Sequence, residues 1–198
     1  MAAVRPIFEV DLGRDVRAVE AMAENLKPYV YGEALYGALP GNLPRLTLGG
    51  LLMRFRRLEA LVDRLTPAQR EIVNTALKKL EATRAEWSVH YENKLKQELR
   101  SRLVNLNQFV KEAEEHPRTV APDYPSAMEK RTIVEALKDE AEAINVMTED
   151  LRTCMATIDN RIRRIAEPSD FIWDPAVESA YPREKYWFLY MLPRRGRA

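Results

Sequence analysis

One stretch of the chain, residues 68–116, contains neither glycine nor proline, and it constrains the fold more than any other feature. Apolar side chains recur along it at an average spacing of about 3.6 residues, which is the repeat of an α-helix. These residues are Val73, Leu77, Leu80, Trp87, Tyr91, Leu95, Leu99, Leu103, Leu106, Val110 and Ala113. The pattern predicts one continuous helix from Pro67 to Glu115, about 73 Å long. Its start is marked by Thr66 and Gln69, whose spacing is typical of a capping box.

A second long helix is predicted from Ala127 to Ala166, because Ser126 and Glu129 again have the spacing of a capping box. Its apolar positions alternate steps of three and four residues, which is a heptad pattern. They are Val134, Leu137, Ala141, Ile144, Thr148, Leu151, Met155, Ile158, Ile162 and Ile165. The flanking positions lack the complementary charges of a parallel dimer, so the expected partner is the preceding helix of the same chain. The three prolines of segment 116–126 would form the turn between the two helices.

The predicted fold class is therefore all-α, built on a long antiparallel helical hairpin with a coiled-coil-like stem. Two shorter helices, at about 15–30 and 47–65, are expected to form a small bundle at its open end. The tail after Pro168 is expected to be irregular and aromatic, with a short helix after Asp174. A chain of 198 residues fits a single domain. Its parts would be the N-terminal helices with a glycine-rich loop (1–66), the hairpin (67–166) and the aromatic, basic tail (167–198).

Composition and charge exclude several classes of protein. A net charge of +1 gives no global field that would draw the chain to nucleic acid or to an anionic membrane. Cys154 is the only cysteine, which excludes an internal disulfide and a zinc site made of several thiolates. The N-terminal residues lack the pattern of a signal peptide, and the longest apolar run, residues 186–192, is too short to span a bilayer. These features predict a cytoplasmic protein without a transmembrane segment.

The inventory of catalytic residues is poor. The two histidines, His90 and His116, are far apart, and neither has the glutamate three residues earlier that a di-iron site of the ferritin type requires. Cys154 has no histidine near it in sequence, which favours a half-buried structural cysteine over a reactive thiol. Phosphate-binding and nucleophile-elbow motifs are missing. We therefore predict no catalytic residue, metal or cofactor, although an enzyme with an unrecognised carboxylate site stays an alternative.

The glycine-rich loop is the best candidate for binding a small ligand. Thr47 would cap a helix whose second and third residues, Gly49 and Gly50, would offer unhindered amides to an anion. Three arginines and three tyrosines surround this point in the sequence and suit a phosphorylated or aromatic ligand, or a nucleic acid. They are Arg45, Arg54, Arg57, Tyr29, Tyr31 and Tyr36. The alternative interpretation is structural, with glycines permitting a tight turn and tyrosines packing over the end of the bundle.

The tail offers another surface. Residues 183–198 carry five basic residues and one acid, so the tail could contact a membrane surface or a nucleic-acid backbone. Three terminal arginines are a weak electrostatic anchor, however. Packing of the aromatic run 186–192 against the rest of the chain, with the arginines in water, is the favoured interpretation.

The leading functional prediction is a non-enzymatic scaffold, adaptor or subunit that acts through protein contacts, as a homodimer or with another protein. It rests on the outer half of the predicted hairpin, where apolar residues cover about 220° of one helix, while a single partner helix needs little more than 100°. The predicted interface consists of Leu103, Val104, Leu106, Phe109, Val110, Val146 and Met147. The alternative is that the aromatic tail, or a bent second helix, covers this patch within one chain.

Overall fold

The computed structural model describes residues 10–194 and confirms the all-α class. The α-helices are α1 (Leu12–Glu24), α2 (Leu26–Tyr31), α3 (Leu48–Ala60), α4 (Pro67–Glu86), α5 (Ser88–Glu115), α6 (Pro117–Val120), α7 (Tyr124–Ala143) and α8 (Glu149–Ile165). Short 3-10 helices occupy Val62–Arg64, Ala121–Asp123, Pro175–Ala180 and Trp187–Tyr190. Strands β1 (Ala166–Pro168) and β2 (Met191–Pro193) pair antiparallel. None of the helices in this part of the chain is long and apolar enough to cross a membrane.

Two compact units make up the described chain. The first consists of Asp11–Arg100 and Glu135–Val146, and the second of Val10, Ser101–Val134 and 147–194. The predicted single domain stays a prediction, as do the antiparallel hairpin, its coiled-coil stem and the small bundle.

The core of the first unit is built from the apolar faces of α1 to α5. Helix α1 packs against α3 and α4. The buried side chains include Val16, Val19, Met22, Leu26, Leu48, Leu51, Leu58, Leu80, Tyr91, Leu95 and Leu99. Each such side chain contributes roughly 1.5–3 kcal/mol by leaving water.

The second unit contains α8 and the aromatic tail. The buried face of α8 consists of Leu151, Met155, Ile158 and Ile162. Arg131 of α7 donates two hydrogen bonds to Asp159 of α8, at 2.8 and 2.9 Å. The tail has five buried aromatic side chains, Trp173, Tyr181, Tyr186, Phe188 and Tyr190. The predicted short helix after Asp174 is present as a 3-10 helix.

The predicted continuous helix from Ala127 to Ala166 is wrong. Helix α7 ends at Ala143 and α8 begins only at Glu149. The chain leaves α7 through Asn145, whose φ of 58° lies in the left-handed region. The Val146 amide then donates to the Ala141 carbonyl and the Asn145 amide to the Glu142 carbonyl, at 2.8 and 3.2 Å. These two bonds form a Schellman motif, which satisfies the last carbonyls of α7 and stops the helix.

Two other helix boundaries also need correction. The predicted helix Pro67–Glu115 is interrupted at a single residue, Trp87, which separates α4 from α5 with φ −119° and ψ 38°. Ser126 is not an N-cap, because α7 already begins at Tyr124. The proline-rich segment before it is mostly helical, since each of its prolines is the first or second residue of a helix, where a missing N–H costs little. The capping box at Thr66 is confirmed: its hydroxyl accepts from the Gln69 amide at 3.2 Å, and the Gln69 side chain accepts from the Thr66 amide at 2.9 Å.

Candidate functional site

The helix start predicted as an anion site is present, but its amides are already used. Thr47 caps α3, and its hydroxyl accepts from the Gly50 amide at 3.0 Å. The Gly49 amide donates to Oε2 of Glu98, 3.1 Å away, and Glu98 is completely buried. A β-carbon on Gly50 would lie 2.8 Å from the Thr47 hydroxyl oxygen, so a larger residue there would displace this hydroxyl from its present position. The premise of unhindered amides is therefore wrong, because an internal carboxylate already occupies the position of the anion.

Two of the three arginines of α3, Arg54 and Arg57, also have an internal partner. Arg57, only 4% exposed, donates from Nη1 to Oδ2 of buried Asp15 at 2.8 Å, and Nε of Arg54 lies 3.2 Å from Oδ1 of the same carboxylate. Arg54 also donates to the Gly50 carbonyl at 2.8 Å. One carboxylate of α1 thus holds both guanidinium groups. Of the three predicted arginines, Arg45 alone is exposed.

The three predicted tyrosines do not form one site. Tyr29 is buried and donates from its hydroxyl to the Leu35 carbonyl at 2.9 Å. Tyr36 is 38% exposed and lies beside the bridge by which Gly37 and Leu46 close the loop. Tyr31, at the end of α2, is 64% exposed and packs instead on Trp87, between α4 and α5, and on His90 of α5. Ligand binding by the loop stays a prediction. The amides, arginines and tyrosines on which this prediction depended do not lie together in one site.

Tyr31 belongs to an exposed aromatic group that the sequence did not indicate. Its ring stacks on His90, with ring centroids 5.2 Å apart and an interplanar angle of 25°. Trp87 meets both rings edge-on, at 5.5 Å from Tyr31 and 5.6 Å from His90. His90 is exposed and Trp87 half-buried. Val89, which is 66% exposed, directly precedes His90 in the first turn of α5, and we call these four residues the aromatic surface.

The three rings come from the end of α2 and from the junction of α4 and α5. Trp87 is the C-cap of α4, and His90 lies in the first turn of α5. Lys27 of α2 lies 5.5 Å from the Trp87 ring centroid and makes an ion pair of 2.7 Å with Glu86. Glu86 and His90 therefore both contact residues of α2, Lys27 and Tyr31 respectively. The Trp87 indole nitrogen is buried and has no hydrogen-bond acceptor among residues 10–194.

A buried lysine holds the segment that directly follows Tyr31. Lys94 is 3% exposed and donates to the carbonyls of Gly32 and Ala34, at 2.5 and 2.9 Å. Burial lowers the pKa of Lys94, against the opposing effect of Glu98 and Glu33. An open groove of about 420 Å³ borders this point and is lined by Val30, Tyr31, Gly32, Glu33, His90, Asn93, Lys94 and Gln97. Exposed rings beside uncharged amides and one carboxylate are typical of the edge of a protein interface.

The predicted dimer interface is mostly inside the chain. Leu103, Leu106 and Val110 are at most 2% exposed. Phe109, Val146 and Met147 are half-buried, and Val104 alone is well exposed, at 68%. The expectation that one chain leaves this helix face in water is therefore wrong, because the fold already covers it.

The remaining reactive residues give no cluster. Cys154 is exposed on α8, and the prediction that it is half-buried is wrong. Within residues 10–194, no group of three or more histidine, cysteine, aspartate or glutamate residues could hold a metal ion. Comparison with models of protein families, with curated proteins and with solved structures finds no match.

Proposed function

We propose that the protein is a non-enzymatic helical scaffold, adaptor or subunit that binds another protein through the aromatic surface. The observation that carries the proposal is the position of Tyr31, which leaves most of its ring in water while stacking on His90. Aromatic residues are enriched at protein interfaces, since they bury a large area for little loss of conformational entropy. Stacking on His90 restricts the Tyr31 side chain before a partner arrives, which lowers that loss further.

The charges around the aromatic surface favour a protein partner over a phosphorylated ligand or a nucleic acid. A phosphate needs cations that are available to it. Lys27 is paired with Glu86, and Lys94 is buried against two carbonyls. Arg54 and Arg57 share the Asp15 carboxylate. What the surface offers is apolar and aromatic area with a polar margin, which suits a protein.

The partner in this proposal is either a different protein or a second copy of the chain, and we place the complex in the cytoplasm. Light scattering at micromolar concentration separates the two cases, because a homodimer doubles the 22.9 kDa mass. Tyr31→Ser with Val89→Ser would return a homodimer built on the aromatic surface to the monomer mass.

The direct test is co-purification with the tagged full chain, expressed in the cells from which it comes. The test variant is Tyr31→Ser with Val89→Ser, and the matched control is Val62→Ser with Val104→Ser, which removes two other exposed apolar side chains. Quantitative mass spectrometry should find proteins that the wild type and the control retain and the test variant loses. Equal recovery with all three, at equal circular-dichroism signals, would show that the aromatic surface is not the contact.

A further inference from the structure

One face of α4 is left open beside α1. Ala68, Glu71, Ile72, Thr75, Ala76 and Lys79 follow helical spacing over about three turns, roughly 16 Å of α4. Together with Glu20 and Glu24 of α1 they line an open groove of about 410 Å³, which we call the acidic groove. Its floor is apolar, because Ala76 is 2% exposed and Ile72 is half-buried.

The rim of this groove is strongly unbalanced in charge. Three of its residues are glutamates and one, Lys79, is basic. Lys79 Nζ lies 3.5 Å from Oε1 of Glu24, which leaves two glutamates without a cation. Neither Glu20 nor Glu71 has an ion-pair partner among residues 10–194, and both are exposed. The groove therefore combines an apolar floor with unneutralised carboxylates on both sides, one from α1 and one from α4.

We propose that the acidic groove binds a basic amphipathic helix of another protein. The length of the open face sets the kind of ligand, because three turns of one helix face offer anchor points to a helix laid alongside, with apolar side chains at spacings of three and four residues. The charge sets its chemistry, because lysine or arginine flanking those apolar side chains would meet Glu20 and Glu71. This site is separate from the aromatic surface, so the inference goes beyond the proposed function.

A synthetic peptide tests the assignment. The probe is an 18-residue amphipathic helix with leucines on one face and lysines and arginines beside them, labelled for fluorescence anisotropy and titrated with the full chain. The comparison peptide has glutamate in place of every basic residue. We expect the basic peptide to bind at least tenfold more tightly than the acidic one, and its affinity to fall between 50 and 200 mM salt.

Variants locate the binding. Glu20→Lys with Glu71→Lys should weaken binding of the basic peptide at least tenfold. Ile72→Glu should also weaken binding, because it places a charge on the apolar floor of the groove. The matched control, Glu59→Lys with Glu81→Lys, makes the same change in net charge at exposed positions, and Glu81 is on the opposite face of α4 from Ile72. Equal loss in the control would show attraction to net charge alone and would overturn the assignment, as would absence of peptide binding to the wild type.

Two further outcomes separate this inference from other occupants. Loss of peptide binding in Tyr31→Ser, with normal binding in Glu20→Lys with Glu71→Lys, would place the peptide on the aromatic surface and overturn the groove. A fall in mass from dimer to monomer in Glu20→Lys with Glu71→Lys, measured by light scattering, would identify a second copy as the occupant instead. Failure of the proposed function leaves the groove test unaffected, because the two tests use different residues and different readouts.

Discussion

At the scale of single residues, the first unit carries charged side chains inside its core. Asp15 is 6% exposed and Arg57 is 4% exposed, so both have lost most of their hydration. Such a pair adds little net stability, because the attraction mainly offsets the desolvation of the two charges. Both guanidinium groups depend on Asp15, however, since its removal takes this carboxylate from Arg54 and Arg57, whereas removal of Arg57 leaves Asp15 paired with Arg54.

We expect Asp15→Ala to lower the free energy of unfolding by about 3–5 kcal/mol, since it leaves Arg57 buried without its carboxylate. The double variant Asp15→Leu with Arg57→Met should be more stable than Asp15→Ala, because it removes the more deeply buried of the two guanidinium groups that lose their carboxylate. Urea unfolding followed by circular dichroism measures both. A double variant that is less stable than the single one would mean that the pair contributes more than the cost of its desolvation.

A second prediction at this scale concerns alkaline pH. Burial, then the charge of Glu140 and the hydrogen bond to its Oε1 at 2.9 Å, raises the pKa of Tyr91 far above its usual value near 10. Above that value the unfolded chain loses the phenol proton while the folded chain keeps it, so stability falls as pH rises. One such tyrosine contributes about 1.4 kcal/mol of this fall per pH unit, and nothing below about pH 9.

Above pH 10, Tyr91→Phe should therefore make the fall of unfolding free energy with pH less steep. The reduction should be about 1.4 kcal/mol per pH unit, which is the contribution of one proton. The same measurement at pH 7 isolates the lost hydrogen bond to Glu140, worth about 1.5–3 kcal/mol because the acceptor is charged. Tyr124→Phe should reduce the slope likewise, since burial raises the pKa of Tyr124. Identical alkaline slopes in the wild type and both variants would contradict the argument.

At the scale of elements, the end of α7 depends on one residue. Asn145 holds a left-handed backbone conformation that costs most residues about 1–2 kcal/mol and that asparagine and glycine tolerate best. We expect Asn145→Ala to destabilise the chain by about that amount, and Asn145→Gly to be neutral or stabilising. The matched control is Asn160→Ala, at an exposed position within α8, which should be neutral or slightly stabilising because alanine favours a helix. Thermal unfolding of the three variants ranks them directly.

The same residue shows what the sequence could and could not predict about the elements. The apolar stripe from Val134 to Ile162 correctly identifies the buried side chains of α7 and α8, because a heptad pattern reports which face is buried. It does not report whether the backbone stays helical between them. The signals for the break were local: Asn145 suits a left-handed cap, and Thr148 followed by two acidic residues is typical of a helix start. The prediction of one continuous helix followed the uninterrupted apolar periodicity instead of these local signals.

The candidate site was less predictable for a related physical reason. Spacing identified Thr47 as an N-cap and placed glycines at the start of α3, which is confirmed. It could not show that Glu98, 49 positions later, accepts from the Gly49 amide, because that contact depends on tertiary packing. Trp87 fits the apolar stripe of a continuous helix, so the sequence assigns it to the core. Its contact with exposed Tyr31 is a tertiary contact, which the spacing of apolar residues does not report.

At the scale of the whole molecule, the question is whether the chain presents an apolar face to a second copy. We expect Val104→Glu to change the free energy of unfolding by less than about 0.5 kcal/mol and to leave the mass in solution unchanged, because this side chain is exposed and isolated. Leu106→Glu should unfold the protein or destabilise it severely, since it buries a charge. Light scattering and urea unfolding measure the two effects. A lower mass for Val104→Glu than for the wild type would support the predicted dimer interface.

The carboxylate that reaches the start of α3 has a consequence for the order in which the chain folds. Two glycines in the first turn make α3 a poor helix on its own, and the Gly49 amide has no acceptor until α5 has docked. A peptide containing α3 alone should therefore be mostly unstructured, and the helix should consolidate late, after a loop of nearly fifty residues has closed. In the folded protein, hydrogen exchange at the Gly49 amide would then report how often α5 separates from α3, a local opening that measurements of global unfolding do not resolve.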